Sequence, residues 1–305
     1  MTALRLGTRR SKLALAQAQL VADAVLASTG RAVELVEVNT VGDESTEALT
    51  QLGGTGVFVS ALRERVIAGD VDFAVHSLKD LPTADPEGLI LAAVPTRADA
   101  RDALVARDGL TLGELPAGST VGTGSPRRTA QLRALGMDLD VVPIRGNVDT
   151  RLRKVADGAL DAVVLARAGL LRLGRQDAIT ETLDPLQVLP AAGQGALAVE
   201  CADPSLAALL AALDDPTTRA AVTAERALLA ALEAGCTAPV GALAEVAEGD
   251  TGPEIYLRGV VVAIDGSDAV RLSATGPASD PEKVGRALAA ELFESGAGDL
   301  LGERS

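Results

Sequence analysis

From Leu4 to about Val199 the chain alternates short apolar runs with stretches of helical period, and this alternation restricts the fold more than any other feature of the sequence. The apolar runs predict strands at Leu4–Gly7, Val33–Asn39, Phe73–Val75, Leu89–Val94, Ala103–Ala106, Thr120–Gly122, Val141–Ile144, Ala162–Leu165 and Ala196–Glu200. The helical periods predict helices at Ser11–Thr29, Val57–Ala68, Pro126–Leu135 and Val148–Ala156. Such alternation gives an α/β architecture with largely parallel sheets. Ser11 is placed to cap the first helix, and Ser125-Pro126 sets a cap before a proline in the first turn of another. The run Ala196–Glu200 follows a complete second α/β set, so it is expected to return to the first sheet.

The last third reads differently. Pro216 to Ala234 predicts a long Ala/Leu-rich helix closed by Gly235. Strands are expected over Val240–Val246, Tyr256–Ile264 and Ala269–Ala274, with Asp265-Gly266 as a hairpin signal, then a helix from about Pro281 to Glu294. The expected layout is therefore two α/β domains and a small α+β C-terminal domain. Residues 1–95 with 192–213 form domain 1, residues 96–191 domain 2 and residues 216–305 domain 3. Pro95 and Pro190 fall near the two expected crossings, Val94–Asp99 and Leu189–Gly193.

Composition removes several functions. Aromatic residues are 1% of the chain and Trp is absent, which leaves no stacking platform for single-stranded nucleic acid. A net charge of −14 has the wrong sign for a general phosphate-backbone binder. No apolar run reaches 18 residues, so no spanning helix is expected, and the first ten residues lack a signal-peptide core. Two cysteines make no disulfide framework, which suits a reducing cytoplasm, and with one histidine they cannot complete a four-ligand Cys/His zinc site. No metal, membrane or nucleic-acid partner is expected.

Within this acidic chain the basic residues are concentrated. Residues 1–12 hold Arg5, Arg9, Arg10 and Lys12 with no acid. Residues 121–155 hold seven basic residues, among them Arg127, Arg128, Arg145 and Arg151, against three acidic ones. A basic island in an acidic protein reads either as solvated surface charge or as a site for a polycarboxylate, for which the planar guanidinium fork is suited. Arg127 and Arg128 fall in the first turn behind Ser125, where backbone N–H groups add to an anion site. Gly122 and Gly124 allow close approach of a ligand. In His76-Ser77-Leu78-Lys79-Asp80, after a predicted strand, Lys79 and Asp80 read as a structural ion pair or as charge chemistry, and His76 as a packing residue. Cys236, just past a helix C-terminus, has no local feature that activates a thiolate.

Seven segments, taken together, resemble one family. They are Leu6-Gly7-Thr8-Arg9-Arg10-Ser11-Lys12-Leu13-Ala14, Gly53-Gly54-Thr55-Gly56-Val57-Phe58-Val59, Asp72 through Pro82, Val121-Gly122-Thr123-Gly124-Ser125-Pro126-Arg127-Arg128, Arg145-Gly146-Asn147-Val148-Asp149-Thr150-Arg151, Leu189-Pro190-Ala191-Ala192-Gly193-Gln194-Gly195, and Leu232-Glu233-Ala234-Gly235-Cys236. In this order across nearly the whole chain they resemble the hydroxymethylbilane synthase, or porphobilinogen deaminase, family. The resemblance implies two domains similar to periplasmic binding proteins and a third that carries a cysteine on a loop. It implies a dipyrromethane cofactor joined to Cys236 by a thioether, and Asp80 as the catalytic acid. Lys79, Thr123, Ser125, Arg127 and Arg128 would hold the cofactor, and Arg9, Ser11, Arg145, Arg151 and Arg172 the substrate. The implied reaction condenses four porphobilinogen molecules head to tail with loss of ammonia, then releases the linear tetrapyrrole hydrolytically. The implied partners are porphobilinogen and the elongating polypyrrole, and the chain is expected to act as a cytoplasmic monomer.

The chain departs from the family pattern at Thr55 and Ser60, where many members carry lysine. The chemistry nevertheless suits the residues present. Each porphobilinogen brings an acetate and a propionate, so arginines must hold a growing negative charge. Loss of ammonia leaves a cation, and a carboxylate about 4 Å away stabilises it by roughly 4 kcal/mol at an effective dielectric of about 20. An ordinary thiol captures such an electrophile, so an unactivated Cys236 suits an anchor formed once. The competing reading is a two-lobed small-molecule binding protein without catalysis, since fold alone does not decide function.

Overall fold

The computed structural model describes residues 2–38, 56–84, 86–235, 238–250 and 252–301, with backbone only at residues 56–58. Its contacts divide the chain into two units. One comprises Met1–Ala98 and Ala196–Arg219, the other Asp99–Gly195 and Ala220–Ser305.

The first unit is built on a five-stranded sheet. Its elements are β1 (Leu4–Thr8), α1 (Lys12–Thr29), β2 (Val33–Glu37), α2 (Gly56–Ile67), β3 (Phe73–Ser77), a 3₁₀ turn over Leu78–Asp80, β4 (Ile90–Ala93), and, after the second set, β10 (Leu197–Cys201) and α6 (Pro204–Leu210). The order is β2-β1-β3-β10-β4. β1 runs parallel to β2 and β3, and β10 runs antiparallel to β3 and β4. The late strand therefore does return to the first sheet. Ser11 caps α1, its hydroxyl accepting from the Ala14 N–H at 3.2 Å. Ala18, Val21, Ala22 and Val25, at helical spacing, carry the buried face of α1 onto Leu6, Phe73 and Val199. Leu62 and Val66 of α2 pack in a separate cluster with Val71 and Ala74. Dense aliphatic packing of this kind fixes the strand ends on which polar residues stand.

The second unit repeats the plan. β5 (Asp102–Ala106), β6 (Thr120–Thr123), α3 (Pro126–Ala134), β7 (Asp140–Pro143), α4 (Val148–Ala156), β8 (Ala162–Ala166), α5 (Arg167–Arg172) and β9 (Glu181–Thr182) form a sheet of order β7-β6-β8-β5-β9. Again the first three strands in that order are parallel and the last two pairings antiparallel. The expectation of largely parallel sheets is thus corrected to mixed ones. Strands joined through a helix are forced parallel, whereas β5 and β10 enter their sheets from chain crossings and are free to run the other way.

The C-terminal part holds most of α7 (Pro216–Ala231), then β11 (Val240–Gly249), β12 (Gly252–Val262), β13 (Ala269–Pro277), α8 (Pro281–Glu294) and α9 (Ala297–Leu300). The three strands form an antiparallel sheet of order β11-β12-β13. Leu228 and Leu232, with Leu288 and Leu292, cover Ile255, Leu257 and Val261. Val260 and Val262 pack instead with Leu243, Ala130 and Leu189, so α3 and the segment at Leu189 share a core with this part. Asp265-Gly266 does form the turn between β12 and β13, with Gly266 at φ +80°.

Two local expectations fail for a stated reason. α7 ends at Ala231, and the left-handed residue is Glu233 at φ 52°, not Gly235. The Ala234 N–H reaches Leu229 O at 3.1 Å and the Glu233 N–H reaches Ala230 O at 3.0 Å, the paired bonds of a Schellman stop. These bonds and the packing of Ala234 with Leu229 decide the stop against the intrinsic preference for glycine. β3 likewise extends to Ser77, because β10 continues the ladder through Ala198 opposite His76 and Leu197 opposite Ser77. His76 is therefore inside the strand. The short elements α5, α6 and β9 were not expected, being too brief to show a period.

Candidate functional site

In the first unit the chemistry gathers where β3 gives way to its 3₁₀ turn. Leu78 is fully buried and its N–H bonds Ala196 O at 3.1 Å, which pins the turn to the chain entering β10. Lys79 and Asp80 follow, both half-buried. Burial pushes the Asp80 carboxyl above the usual carboxylate range, while the charges of Lys79 and Arg9 pull it back in part. Arg9, half-buried beyond β1, thus belongs electrostatically to the Asp80 site, and Ser11 stands at the start of α1 two residues on.

Behind this turn lies a buried network that the sequence did not reveal. Glu200 on β10 takes both arms of Arg63 from α2, Nε at 2.9 Å and Nη2 at 2.7 Å. His76 Nε2 lies 3.4 Å from Glu200 Oε2 without a hydrogen-bond partner among the described residues. Burial, with Arg63 and Arg9, depresses His76 to about 4 against the pull of Glu200, so it is neutral at pH 7. This places His76 in the packed interior, in line with its reading as a packing residue.

In the second unit Thr123 ends β6 and its hydroxyl accepts from the Ser125 N–H at 3.2 Å. Ser125 caps α3 through the Arg128 N–H at 3.5 Å. Arg127 and Arg128, in the first turn, are only 3% and 5% exposed. Both reach Asp102, which is fully buried at the start of β5, each at 2.8 Å. The two guanidiniums hold the Asp102 carboxyl far below the usual range despite its burial. Nε of Arg127 and Nε of Arg128 are buried with no hydrogen-bond partner among the described residues.

Arg151 on α4 donates from Nε to Gly146 O at 2.8 Å, and its pKa is lowered by burial and by Arg128. A Cβ at Gly124 would stand 2.8 Å from Ile144 O, so only glycine lets the chain after β6 lie against that carbonyl, and Arg151 Nη2 is at ordinary contact distance, 3.6 Å. Arg172 donates from Nη2 to Gly195 O at 2.7 Å. Gly193 and Gly195, at φ +72° and +89°, shape the strip Leu189–Gly195 that supplies this carbonyl. Arg145 is exposed past the end of β7. Cys236 and Thr55 lie outside the described residues, and Ser60 is exposed on α2. Among the described residues no three His, Cys, Asp or Glu side chains come together as a metal site, and no helix is long and apolar enough to cross a membrane.

Asp102 and Gln194 are the residues that sequence reasoning left out of the site. Asp102 shows there only as an acid leading an otherwise apolar strand, with partners 25 and 26 positions away. Gln194 sat within a quoted motif, and its amide bonds Asp102 Oδ1 and Ala100 O, both at 2.7 Å.

Arginines at strand ends and helix starts of one unit suit the binding of carboxylate groups, and a half-buried acid in a tight turn of the other suits charge chemistry, the class of groups an enzyme acting on carboxylate-bearing molecules would need. The comparisons specify which. Residues 4–208 match the family model described as porphobilinogen deaminase, dipyromethane cofactor binding domain, and residues 219–294 that of the porphobilinogen deaminase C-terminal domain. Porphobilinogen deaminase 1 of Streptomyces coelicolor is 62% identical over 99% of this chain and 98% of its own. The porphobilinogen deaminases of Nocardia farcinica and Mycobacterium marinum are 60% and 59% identical, over 99% and 98% of this chain and 89% and 96% of theirs. A periplasmic substrate-binding protein of an ABC transporter from Coxiella burnetii is a distant likeness, at 14% identity over 71% of this chain and 94% of that one with a TM-score of 0.44. The chain belongs to the porphobilinogen deaminase family, hydroxymethylbilane synthases of tetrapyrrole biosynthesis that are transferases with a dipyrromethane cofactor. The α/β plan with a small α+β part and the resemblance read from the seven segments are both borne out.

Proposed function

We propose that the chain condenses four porphobilinogen molecules on a dipyrromethane held by Cys236, in the cytoplasm and as a monomer. The observation that carries the mechanism is the Asp80 carboxyl, raised by burial yet set beside Lys79 and Arg9. A carboxyl in this position serves two tasks. Ionised, it stabilises positive charge that develops on the substrate as ammonia leaves. Protonated, it delivers a proton to the departing amine, and a raised pKa favours that form more than an ordinary carboxyl would. Bound dipyrromethane supplies the nucleophilic pyrrole carbon from which condensation starts.

The buried Nε groups of Arg127 and Arg128, and the excess of two guanidiniums over one carboxylate, fit a group that bears acetate and propionate side chains. These arginines, with Thr123, Ser125 and Lys79, hold the cofactor. Arg9, Ser11, Arg145, Arg151 and Arg172 hold the incoming unit and the lengthening chain. Three α/β and α+β domains, with the boundaries expected above, would carry these roles.

The test is the pH dependence of kcat/KM for ammonia release. Wild-type protein should show an acid limb displaced above the ordinary carboxylate range, and Asp80→Asn should remove that limb along with most of the rate. An acid limb that survives the substitution takes the ionised Asp80 out of the stabilisation of the developing cation.

A further inference from the structure

The most closely tied charge cluster among the described residues lies at the start of β5. Asp102 is fully buried and both its oxygens are occupied. Oδ2 accepts from Arg127 Nη2 at 2.8 Å, and Oδ1 accepts from Arg128 Nη2 at 2.8 Å and from Gln194 Nε2 at 2.7 Å. Each guanidinium is also held at its other terminal nitrogen. Arg127 Nη1 donates to Leu189 O at 2.5 Å and Arg128 Nη1 to Val164 O at 3.1 Å. The carbonyl of Leu189 is itself fixed, since the Gln131 amide bonds the Leu189 backbone through both N–H and C=O.

A guanidinium is a rigid plane with five N–H groups. Anchored at both terminal nitrogens it does not swing, and its Nε–H is fixed in direction. Both Nε–H groups are buried without an acceptor among the described residues, a condition that native interiors seldom tolerate unless something else fills the need. The charge balance points the same way. Two adjacent buried guanidiniums repel and one carboxylate cancels one of them, so positive charge is left over, and Arg151, acted on by Arg128, adds to it.

We propose that Asp102 is a positioning residue of the cofactor site: it holds Arg127 and Arg128 by their terminal nitrogens, leaves their two Nε–H groups to the ligand, and cancels one of their two charges so that the remaining positive charge takes up ligand carboxylate. Asp102 acts only through the arginines, because both its oxygens are spent on protein donors. Gln194 keeps it in register by tying Oδ1 to Ala100 O. The inference rests on the reading that Arg127 and Arg128 hold the dipyrromethane.

Asp102→Asn keeps the shape, removes the charge and places an amide N–H₂ against one guanidinium. The readout is the fraction of folded chain that carries the dipyrromethane mass, measured by intact mass after size exclusion and circular dichroism have isolated folded protein. At least a tenfold fall in that fraction is expected, and a folded variant that loads fully overturns the inference. Should Asp102→Asn fail to fold, Gln194→Leu loosens Asp102 while leaving its charge. Apoprotein of that variant, incubated with porphobilinogen, should load at least threefold more slowly than wild type, and an unchanged rate overturns the inference. Arg127→Leu and Arg128→Leu separate the two levels. Full loading of both shows that the underlying reading has failed. Loss of loading in both with full loading of Asp102→Asn shows that only the role of Asp102 has.

Discussion

Asp80 in the first unit and Asp102 in the second are the same side chain placed in opposite electrostatic settings. Asp102 is wholly buried, yet two guanidiniums and an amide drive its carboxyl far below the usual range. Asp80 is half-buried, and among the described residues its burial outweighs the pull of Lys79 and Arg9, so its carboxyl rises. Depth of burial therefore does not decide what an acid does; the number of donors committed to it does. A saturated carboxylate is scaffold, and an undersupplied one retains the capacity to change charge.

That contrast breaks first at Asp102. Asp102→Ala leaves Arg127 and Arg128 buried side by side with no counter-charge, and the loss should be about 3–5 kcal/mol of unfolding free energy. Denaturant melts of the variant measure it, and a loss under about 1 kcal/mol would mean that the arginines find other partners. The native pair should also show in acid. A depressed carboxyl contributes its stability in full above its unfolded pKa near 4 and loses it progressively as pH falls from there toward the far lower folded value, so the contribution of Asp102 should fade below pH 4.

At Asp80 the effects should separate in the other direction. Asp80→Asn should lower kcat by about 10²–10³, the scale of losing one preorganised electrostatic partner. Its melting temperature at pH 7 should hold or rise. A raised carboxyl is harder to ionise when folded, so its ionisation costs stability increasingly from pH 4 upward, and the amide removes that cost. Near-normal turnover, or a marked fall in stability, would place Asp80 with Asp102 among the scaffold acids.

His76 offers a third, smaller test in the same unit as Asp80. Its folded pKa of about 4 lies below the ordinary 6.5, so the neutral ring contributes stability in full above pH 6.5 and loses it as pH falls toward 4. That window should be worth roughly 3 kcal/mol by the size of the shift. The difference between wild type and His76→Gln in unfolding free energy, followed from pH 7 to 4, should show it. A constant difference across the range would mean that folding leaves the ring's pKa unshifted. Smallest of all, Ser11→Ala should cost about 1 kcal/mol of stability through the lost cap on α1. A simultaneous rise in KM is expected from its proposed part in substrate binding, and a stability loss with unchanged KM reduces Ser11 to a cap.

What was legible in the sequence follows how local each interaction is. The caps of Ser11 and Ser125 act within three residues and were read correctly. The return of β10 was legible because its apolar run stood after a full second set of elements. The stop of α7 was misplaced because side-chain packing and backbone bonds moved the left-handed position from Gly235 to Glu233. The arginines were found as a concentration of charge. Asp102 was not, because a single acid in an apolar run gives no sign of two arginines that meet it only when the sheet forms. The network of Arg63, Glu200 and His76 was hidden likewise, with Arg63 and Glu200 137 positions apart.

The central claim is a transferase primed by a covalent dipyrromethane on Cys236, and intact mass tests it most directly. Freshly expressed wild-type protein should exceed its sequence mass by two condensed pyrrole units, and Cys236→Ser, folded to the same extent, should carry no such addition and almost no activity. An unmodified wild-type chain that still turns over porphobilinogen, or a Cys236→Ser chain that keeps both the added mass and the rate, would contradict the account.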